Sequence, residues 1–269
     1  MKRSLMLLLL LALMPVSPLQ ALAETPEEQG HAIAVEADRR SSGFGDCTAD
    51  TVMILRNREG QENRRQLRSR VLEQEDDGDK SLTLFDSPGD VRGTILLTFS
   101  HKRGDDDQWL FLPALKRVKR ISAANKSGAF MGSEFAFEDL GSRELEKYGH
   151  RYLGSESLDG RECFVLEQIP LDSKNSGYSR IISWLDTTTY RLIREEYFDQ
   201  KQRLLKTLFC REYQQYLGFL WKAHRLEMVN HQNGKETDLL FANYRFQVGL
   251  TDRDFRKNRL KNLRTGGGR

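Results

Sequence analysis

Residue types that can support catalysis are present, but they do not fall into a catalytic spacing. The sequence has no G-x-S-x-G, H-E-x-x-H, G-x-x-x-x-G-K-[ST] or G-x-G-x-x-G pattern, which would position a nucleophile, a zinc ion or phosphate groups. The five histidines show no metal-ligand pattern. Asp105, Asp106 and Asp107 could attract a divalent cation, although such a run in a turn is more often solvated. We therefore expect no enzyme, no cofactor and no metal, while a site assembled from distant residues stays open.

Three cysteines, Cys47, Cys163 and Cys210, lie far apart and form no C-x-x-C pair. The sequence therefore indicates neither a zinc site nor a redox motif. A disulfide between Cys163 and Cys210 is the pairing we favour in an oxidising compartment, because both lie in predicted strands. Three buried thiols are an equally open alternative.

The segment 109–121 joins an apolar strand to a basic stretch. Pro113, which cannot donate a ladder hydrogen bond, ends the apolar part. In the basic part neither face is cleanly apolar, which predicts an edge or rim strand. The cations either contact anionic headgroups or an acidic partner, or they protect the sheet edge. They are Lys116, Arg117, Lys119 and Arg120.

The next segment, 122–140, surrounds large apolar side chains with small residues. Its apolar members are Phe130, Met131, Phe135 and Phe137. This composition favours a mobile flap that presents apolar groups to a ligand. The alternative is a long loop whose aromatic side chains plug the domain.

The rest of the chain reads as one short amphipathic helix, at residues 27–40, followed by a series of short strands. Turn sequences such as Asp77-Gly78 and Asn233-Gly234 separate the strands. Their number and spacing predict antiparallel β-structure in a barrel or sandwich. The predicted strands cover residues 47–57, 64–75, 80–85, 94–101, 108–112, 150–157, 162–169, 179–186, 191–199, 204–216, 220–230 and 236–246.

The first residues predict export. Lys2 and Arg3 precede an apolar run at residues 5–14, and Ala21-Leu22-Ala23 supplies a cleavage site. A retained anchor would need roughly 20 apolar residues, but Pro15 and Pro18 interrupt the apolar sequence directly after this run. We expect a signal peptide over residues 1–23, cleaved after Ala23, and a single periplasmic domain over residues 24–269, with a disordered tail from about residue 257.

The charge composition argues against one class of partner and one class of fold. The chain has 42 basic and 39 acidic residues, a net charge of +3, and loss of Lys2 and Arg3 would leave +1. This near-neutrality argues against a nucleic-acid partner. The predicted strands carry many charges, so they cannot supply the lipid-facing band of a membrane barrel. The apolar face of the sheet must therefore point inward.

In several segments the chain resembles the outer-membrane lipoprotein-sorting proteins of the LolA/LolB-like superfamily. The resemblance rests on W-L-F-L-P-A-L-K-R-V-K-R-I at residues 109–121, N-K-S-G-A-F-M-G-S-E-F at 125–135 and E-D-L at 138–140. Shorter matches follow at residues 184–186, 196–199 and 205–206. No lipid-anchoring Cys follows the leader, unlike receptor-type members, so a soluble shuttle fits better than a docked acceptor.

The resemblance implies a mainly β fold with a few helices: a strongly curved antiparallel sheet that forms an incomplete, half-open β-barrel. Helices and a flexible lid would cover its open side around an apolar cavity. The implied function is a periplasmic carrier that binds a lipid or lipoprotein acyl chain and moves it between the inner and outer membranes. A lipid-sensing regulator, an enzyme acting on an apolar substrate and a purely structural envelope protein are the alternatives.

The expected partners are lipid or lipoprotein acyl chains and an inner-membrane exporter or outer-membrane acceptor, and we expect a monomer. Lys116, Arg117, Lys119 and Arg120 are placed near the cavity mouth. A one-residue error in strand register would exchange the two faces of any strand. The expected cavity lining is Leu97, Phe99, Trp109, Phe111, Phe130, Met131, Phe135, Phe137 and Trp184.

Overall fold

Thirteen antiparallel strands form one curved sheet in a computed structural model that describes residues 24–263. The predicted signal peptide lies outside the described residues. In spatial order the strands are β6-β5-β4-β3-β2-β1-β13-β12-β11-β10-β9-β8-β7, so β6 and β7 are the two edges and the barrel stays open. The strands are β1 (Asp46–Arg56), β2 (Glu62–Leu72), β3 (Lys80–Ser87), β4 (Ile95–Phe99), β5 (Asp107–Leu112), β6 (Arg117–Ile121), β7 (Tyr148–Leu158), β8 (Arg161–Pro170), β9 (Tyr178–Asp186), β10 (Leu192–Asp199), β11 (Leu204–Tyr216), β12 (Leu220–Asn230) and β13 (Glu236–Phe246).

The prediction of a mainly β, half-open antiparallel barrel is confirmed. Each of the twelve predicted strands overlaps an observed one, and the basic stretch forms β6, an edge strand as predicted. The predicted helix is α1 (Pro26–Ser41), which begins at a capping box between Thr25 and Glu28. No helix within residues 24–263 has the length and apolar character needed to span a membrane.

The two faces of the sheet are covered by different parts of the chain. We call the face that carries Leu96 and Leu110 the inner face, and the face that carries Leu97 and Trp109 the outer face. Helix α1 covers part of the inner face by packing Ala34 into a cluster with side chains of β8 and β9. The largest core cluster also lies on the inner face.

Residues 122–147, which we call the crossing segment, connect the two edge strands and fill much of the inner face. Phe130 is 1% exposed and packs against Phe85 and Phe137, with ring centroids 5.6 Å apart in both pairs. Arg65 donates to the Met131 carbonyl at 2.6 Å, and Gln108 donates to the Phe137 carbonyl at 2.8 Å. The segment is therefore part of the core, which corresponds to the alternative in which its aromatic side chains plug the domain rather than to a mobile flap.

The C-terminal segment, residues 250–263, covers the outer face of β3 to β6. It contains two short 3-10 helices, Asp252–Phe255 and Lys257–Asn262, which insert the fully buried Phe255 and Leu260. Residues 257–263 are thus folded, contrary to the expected disorder from residue 257. Residues 264–269 lie outside the part of the chain that the structure describes.

The disulfide that we favoured is wrong. Cys47, Cys163 and Cys210 are all free and buried, and they belong to three different hydrophobic clusters. Cys163 lies among outer-face side chains, whereas Cys210 lies in the inner core, so the sheet separates them. The three thiols act as small apolar side chains, and burial raises the pKa of Cys47 to about 11.

Candidate functional site

Three neighbouring cavities lie on the inner face, around residues 141–144 of the crossing segment. The central cavity has a volume of about 700 Å³, and the two others have volumes of about 920 and 300 Å³. Arg143 and Glu144 line all three. The central volume falls within the range of roughly 300–1,000 Å³ that is usual for small-molecule sites.

The central cavity is lined by both apolar and charged side chains. Its buried wall includes Phe135, Tyr197 and Leu208, which come from the crossing segment, β10 and β11. Leu192 and Leu226 add partly exposed apolar surface. The charged side chains that complete the lining are Lys102, Arg103, Asp105, Asp106, Lys126, Glu138, Asp139, Arg143, Glu144, Glu146, Lys147, Asp172 and Glu195.

One buried polar network forms the wall that the central cavity shares with the smallest one. Arg143 makes an ion pair with Glu195, whose carboxylate also accepts hydrogen bonds from Tyr197 at 2.6 Å and Ser183 at 2.8 Å. Burial opposes the charge of Arg143, but the neighbouring Glu195 carboxylate raises the pKa of the guanidinium well above its ordinary value. The charges of this wall are therefore compensated within the protein.

A second buried network fixes the crossing segment to the sheet. Lys206 on β11 pairs with Asp139 at 2.6 Å and donates to the Glu134 carbonyl at 2.9 Å. Tyr178 donates to the other Asp139 oxygen at 2.7 Å, and burial raises the pKa of this tyrosine well above its ordinary value. Because both ionic side chains are almost fully buried, the pair gives the segment one defined position.

The predicted lining does not form one surface. Of the nine predicted lining residues, only Phe135 lines the central cavity. Phe130 and Phe137 are buried in the inner core, and the partly buried Met131 packs against it. The remaining five predicted residues belong to clusters on the outer face, so their placement in the cavity is wrong: Leu97, Phe99, Trp109, Phe111 and Trp184.

The error on β4 and β5 has a simple physical cause. Leu96, Leu97, Leu110 and Phe111 are all buried, because the crossing segment covers one face and the C-terminal segment covers the other. A strand that is covered on both faces shows no alternation of apolar and polar residues. On β9, Trp184 faces outward and donates from Nε1 to Glu156 at 2.8 Å.

The four predicted cations are not at the opening of the central cavity. Lys116 and Arg117 line a groove on the outer face instead. Lys119 is exposed, and Arg120 pairs with Asp107 at 2.6 Å. A contact with headgroups or with an acidic partner stays a prediction for these residues, at a position that differs from the expected one.

Most of the apolar wall comes from β10 to β12, and its residues are not among the predicted ones. Leu208 faces inward, whereas its neighbour Phe209 lies outside the inner core cluster. This alternation along β11 could have predicted which of its residues face the cavity. Arg143 and Glu195 carried no local signal, because 52 residues separate them in the chain.

Among the described residues, the acidic run and the histidines are not grouped as metal ligands. Asp106 contacts Lys147, and Asp107 contacts Arg120, so two of the three acids are paired. Within residues 24–263 no group of three or more His, Cys, Asp or Glu side chains is arranged to hold a metal ion.

Comparisons with known proteins agree with this fold. A family model described as "-like: Uncharacterized protein" matches residues 77–262. A domain described as an outer membrane lipoprotein-sorting protein domain, from Vibrio parahaemolyticus, is 53% identical with a TM-score of 0.86, over 87% of this chain and 99% of that one. The chain belongs to the LolA-like superfamily of outer-membrane lipoprotein-sorting proteins.

Two further solved structures are similar to this LolA-like protein. A DUF1329 family protein from Desulfovibrio piger is 32% identical with a TM-score of 0.83, over 88% of this chain and 99% of that one. A LolA superfamily protein from Nitrosomonas europaea is 21% identical with a TM-score of 0.67, over 85% and 98% of the two chains, and it shows the shared fold alone. A search of curated proteins gives no match.

Proposed function

We propose that this LolA-like protein is a periplasmic carrier that binds the acyl chain of a lipid or lipoprotein in the central cavity and moves it between the inner and outer membranes. The observation that carries the proposal is the cavity itself, which is about 700 Å³ in volume and has a buried apolar wall formed by Phe135, Tyr197 and Leu208 beside charges that are paired within the protein. The relative from Vibrio parahaemolyticus, described as a lipoprotein-sorting domain, supports the same function.

The physical need for such a cavity follows from the cost of hydrating an acyl chain. Each methylene that leaves an apolar environment costs about 0.8 kcal/mol, so a palmitoyl chain in water costs on the order of 10 kcal/mol. An apolar wall formed by Phe135, Leu208 and Leu226 offsets much of that cost. Release stays feasible because the chain moves between two apolar environments.

The arrangement favours binding over catalysis. Glu195 and Asp139, the carboxylates best placed beside the apolar wall, are held by Arg143 and Lys206 respectively. Each therefore already has a structural role within the described part of the chain, as an acceptor of several hydrogen bonds.

The test uses a substitution that fills the cavity with an uncharged side chain. Leu226→Trp places an indole where the acyl chain would lie, whereas Leu153→Trp introduces the same ring at a site on β7 that is 46% exposed. Displacing about three methylenes costs about 2.4 kcal/mol, which weakens binding about fiftyfold. Titration with a fluorescent palmitoyl lipid measures the dissociation constant, and native mass spectrometry identifies co-purified lipid.

We expect lipid on the wild-type protein and on Leu153→Trp, and much weaker binding by Leu226→Trp at an unchanged melting temperature. The proposal fails if the wild-type protein binds no lipid in either measurement, or if the two variants bind equally well. Phe130→Asp and Phe135→Asp do not serve this purpose, because both rings are buried in the core and a carboxylate there would unfold the domain.

A further inference from the structure

A groove on the outer face carries an unbalanced set of charges. It lies between β6 and the C-terminal segment and has a volume of about 1,020 Å³. Its apolar lining consists of Phe99 and Val118, which are partly exposed, and the buried Phe255. Six cations and one carboxylate also line it: Lys80, Lys116, Arg117, Arg256, Lys257, Lys261 and Asp252.

In the part of the chain that the structure describes, most of these cations have no anionic partner. Asp252 pairs with Lys80 at 2.6 Å. Across residues 24–263 the other five groove cations make no ion pair, and Lys257 instead lies over the Trp109 ring, 5.1 Å from its centroid. The fold thus gathers like charges from two separate parts of the chain, which creates a positive potential that an anionic surface would stabilise.

A large exposed apolar side chain lies beside these cations. Leu115, at the corner between β5 and β6, is 62% exposed and directly precedes Lys116. Free phosphate would gain nothing from a leucine at this position. A lipid bilayer would, because cations contact its phosphates while an apolar side chain enters the interface.

We propose that this groove, together with Leu115, docks the protein on the anionic surface of a membrane, with the groove cations contacting phospholipid phosphates. The groove and the central cavity lie on opposite faces of the sheet, so docking is separate from cargo binding. β6 continues at Ser122 into the crossing segment, so the docked edge adjoins the element that lines the cavity.

The test compares two variants with the same loss of charge. Arg117→Gln/Lys261→Gln removes two groove cations, and Lys174→Gln/Lys201→Gln removes two exposed cations from turns after β8 and β10. Cosedimentation with vesicles of equal phosphatidylglycerol and phosphatidylcholine measures binding at low ionic strength, and phosphatidylcholine vesicles report binding without anionic lipid. Each groove cation removed is expected to weaken binding about fivefold, so the groove variant should bind about 25-fold more weakly.

We expect the control variant to bind anionic vesicles like the wild-type protein, and Leu115→Ala to bind them more weakly. Equal losses in the two charge variants would overturn the proposal, as would equal wild-type binding to the two kinds of vesicle. Inorganic phosphate that binds the groove, with no vesicle binding at all, would show a site for a free anion and would also overturn it. None of these results decides whether the central cavity binds cargo, because Leu226→Trp tests that proposal separately.

Discussion

The role of the crossing segment is tested most directly by Phe130→Ala. Phe130 is 1% exposed and contacts Phe85 and Phe137 in the inner core. Replacing a buried phenylalanine with alanine usually costs about 3–5 kcal/mol, through lost transfer energy and the cavity that remains. The same substitution on a mobile flap would change the free energy of unfolding very little, because the contacts of the side chain would not persist.

Urea unfolding, followed by circular dichroism, measures this difference. With a denaturant slope of about 3 kcal/mol per molar, a loss of about 4 kcal/mol lowers the midpoint by more than about 1 M. Leu115→Ala is the control, because Leu115 is 62% exposed and its loss should change stability by less than about 0.5 kcal/mol. If the midpoint of Phe130→Ala matches that of the wild-type protein, the segment is not part of the core in solution.

Two further predictions concern buried charges. Lys206→Met should cost about 3–5 kcal/mol, because it leaves the buried Asp139 carboxylate without its cation, and adding Asp139→Asn should restore part of the loss; additive losses in urea unfolding would contradict this coupling. Burial raises the pKa of Asp79 to about 6 from an ordinary value of 3.8, so the folded state binds the extra proton between these values and is weakened as the pH rises through them. Asp79→Asn should therefore be more stable than the wild-type protein at pH 8, by at most about 3 kcal/mol, and no more stable at pH 3.5; an advantage that is equal at both pH values would count against this cause.

The sequence was sufficient to predict the helix and the strands, because the residues that indicate them are close together in the chain. Turn residues such as Asp77-Gly78 and Asn233-Gly234 separate the strands, and a capping box marks the start of α1. The basic stretch that follows Pro113 gave β6 as an edge strand, because its two faces carry the same mixture of side chains. The superfamily resemblance then supplied the curvature and the open barrel.

The sequence alone therefore determined the class of fold, the positions of nearly all strands and the chemical character of the crossing segment. Which face of β4 and β5 points inward became clear only from the folded chain, because both faces are covered and the alternation that would distinguish them is absent. The tertiary structure also showed that Phe130 is part of the core, and it brought together Arg143 and Glu195 as well as Arg117 and Lys261. Such pairs depend on long-range strand pairing and chain crossings, for which nearby residues in the sequence carry no signal.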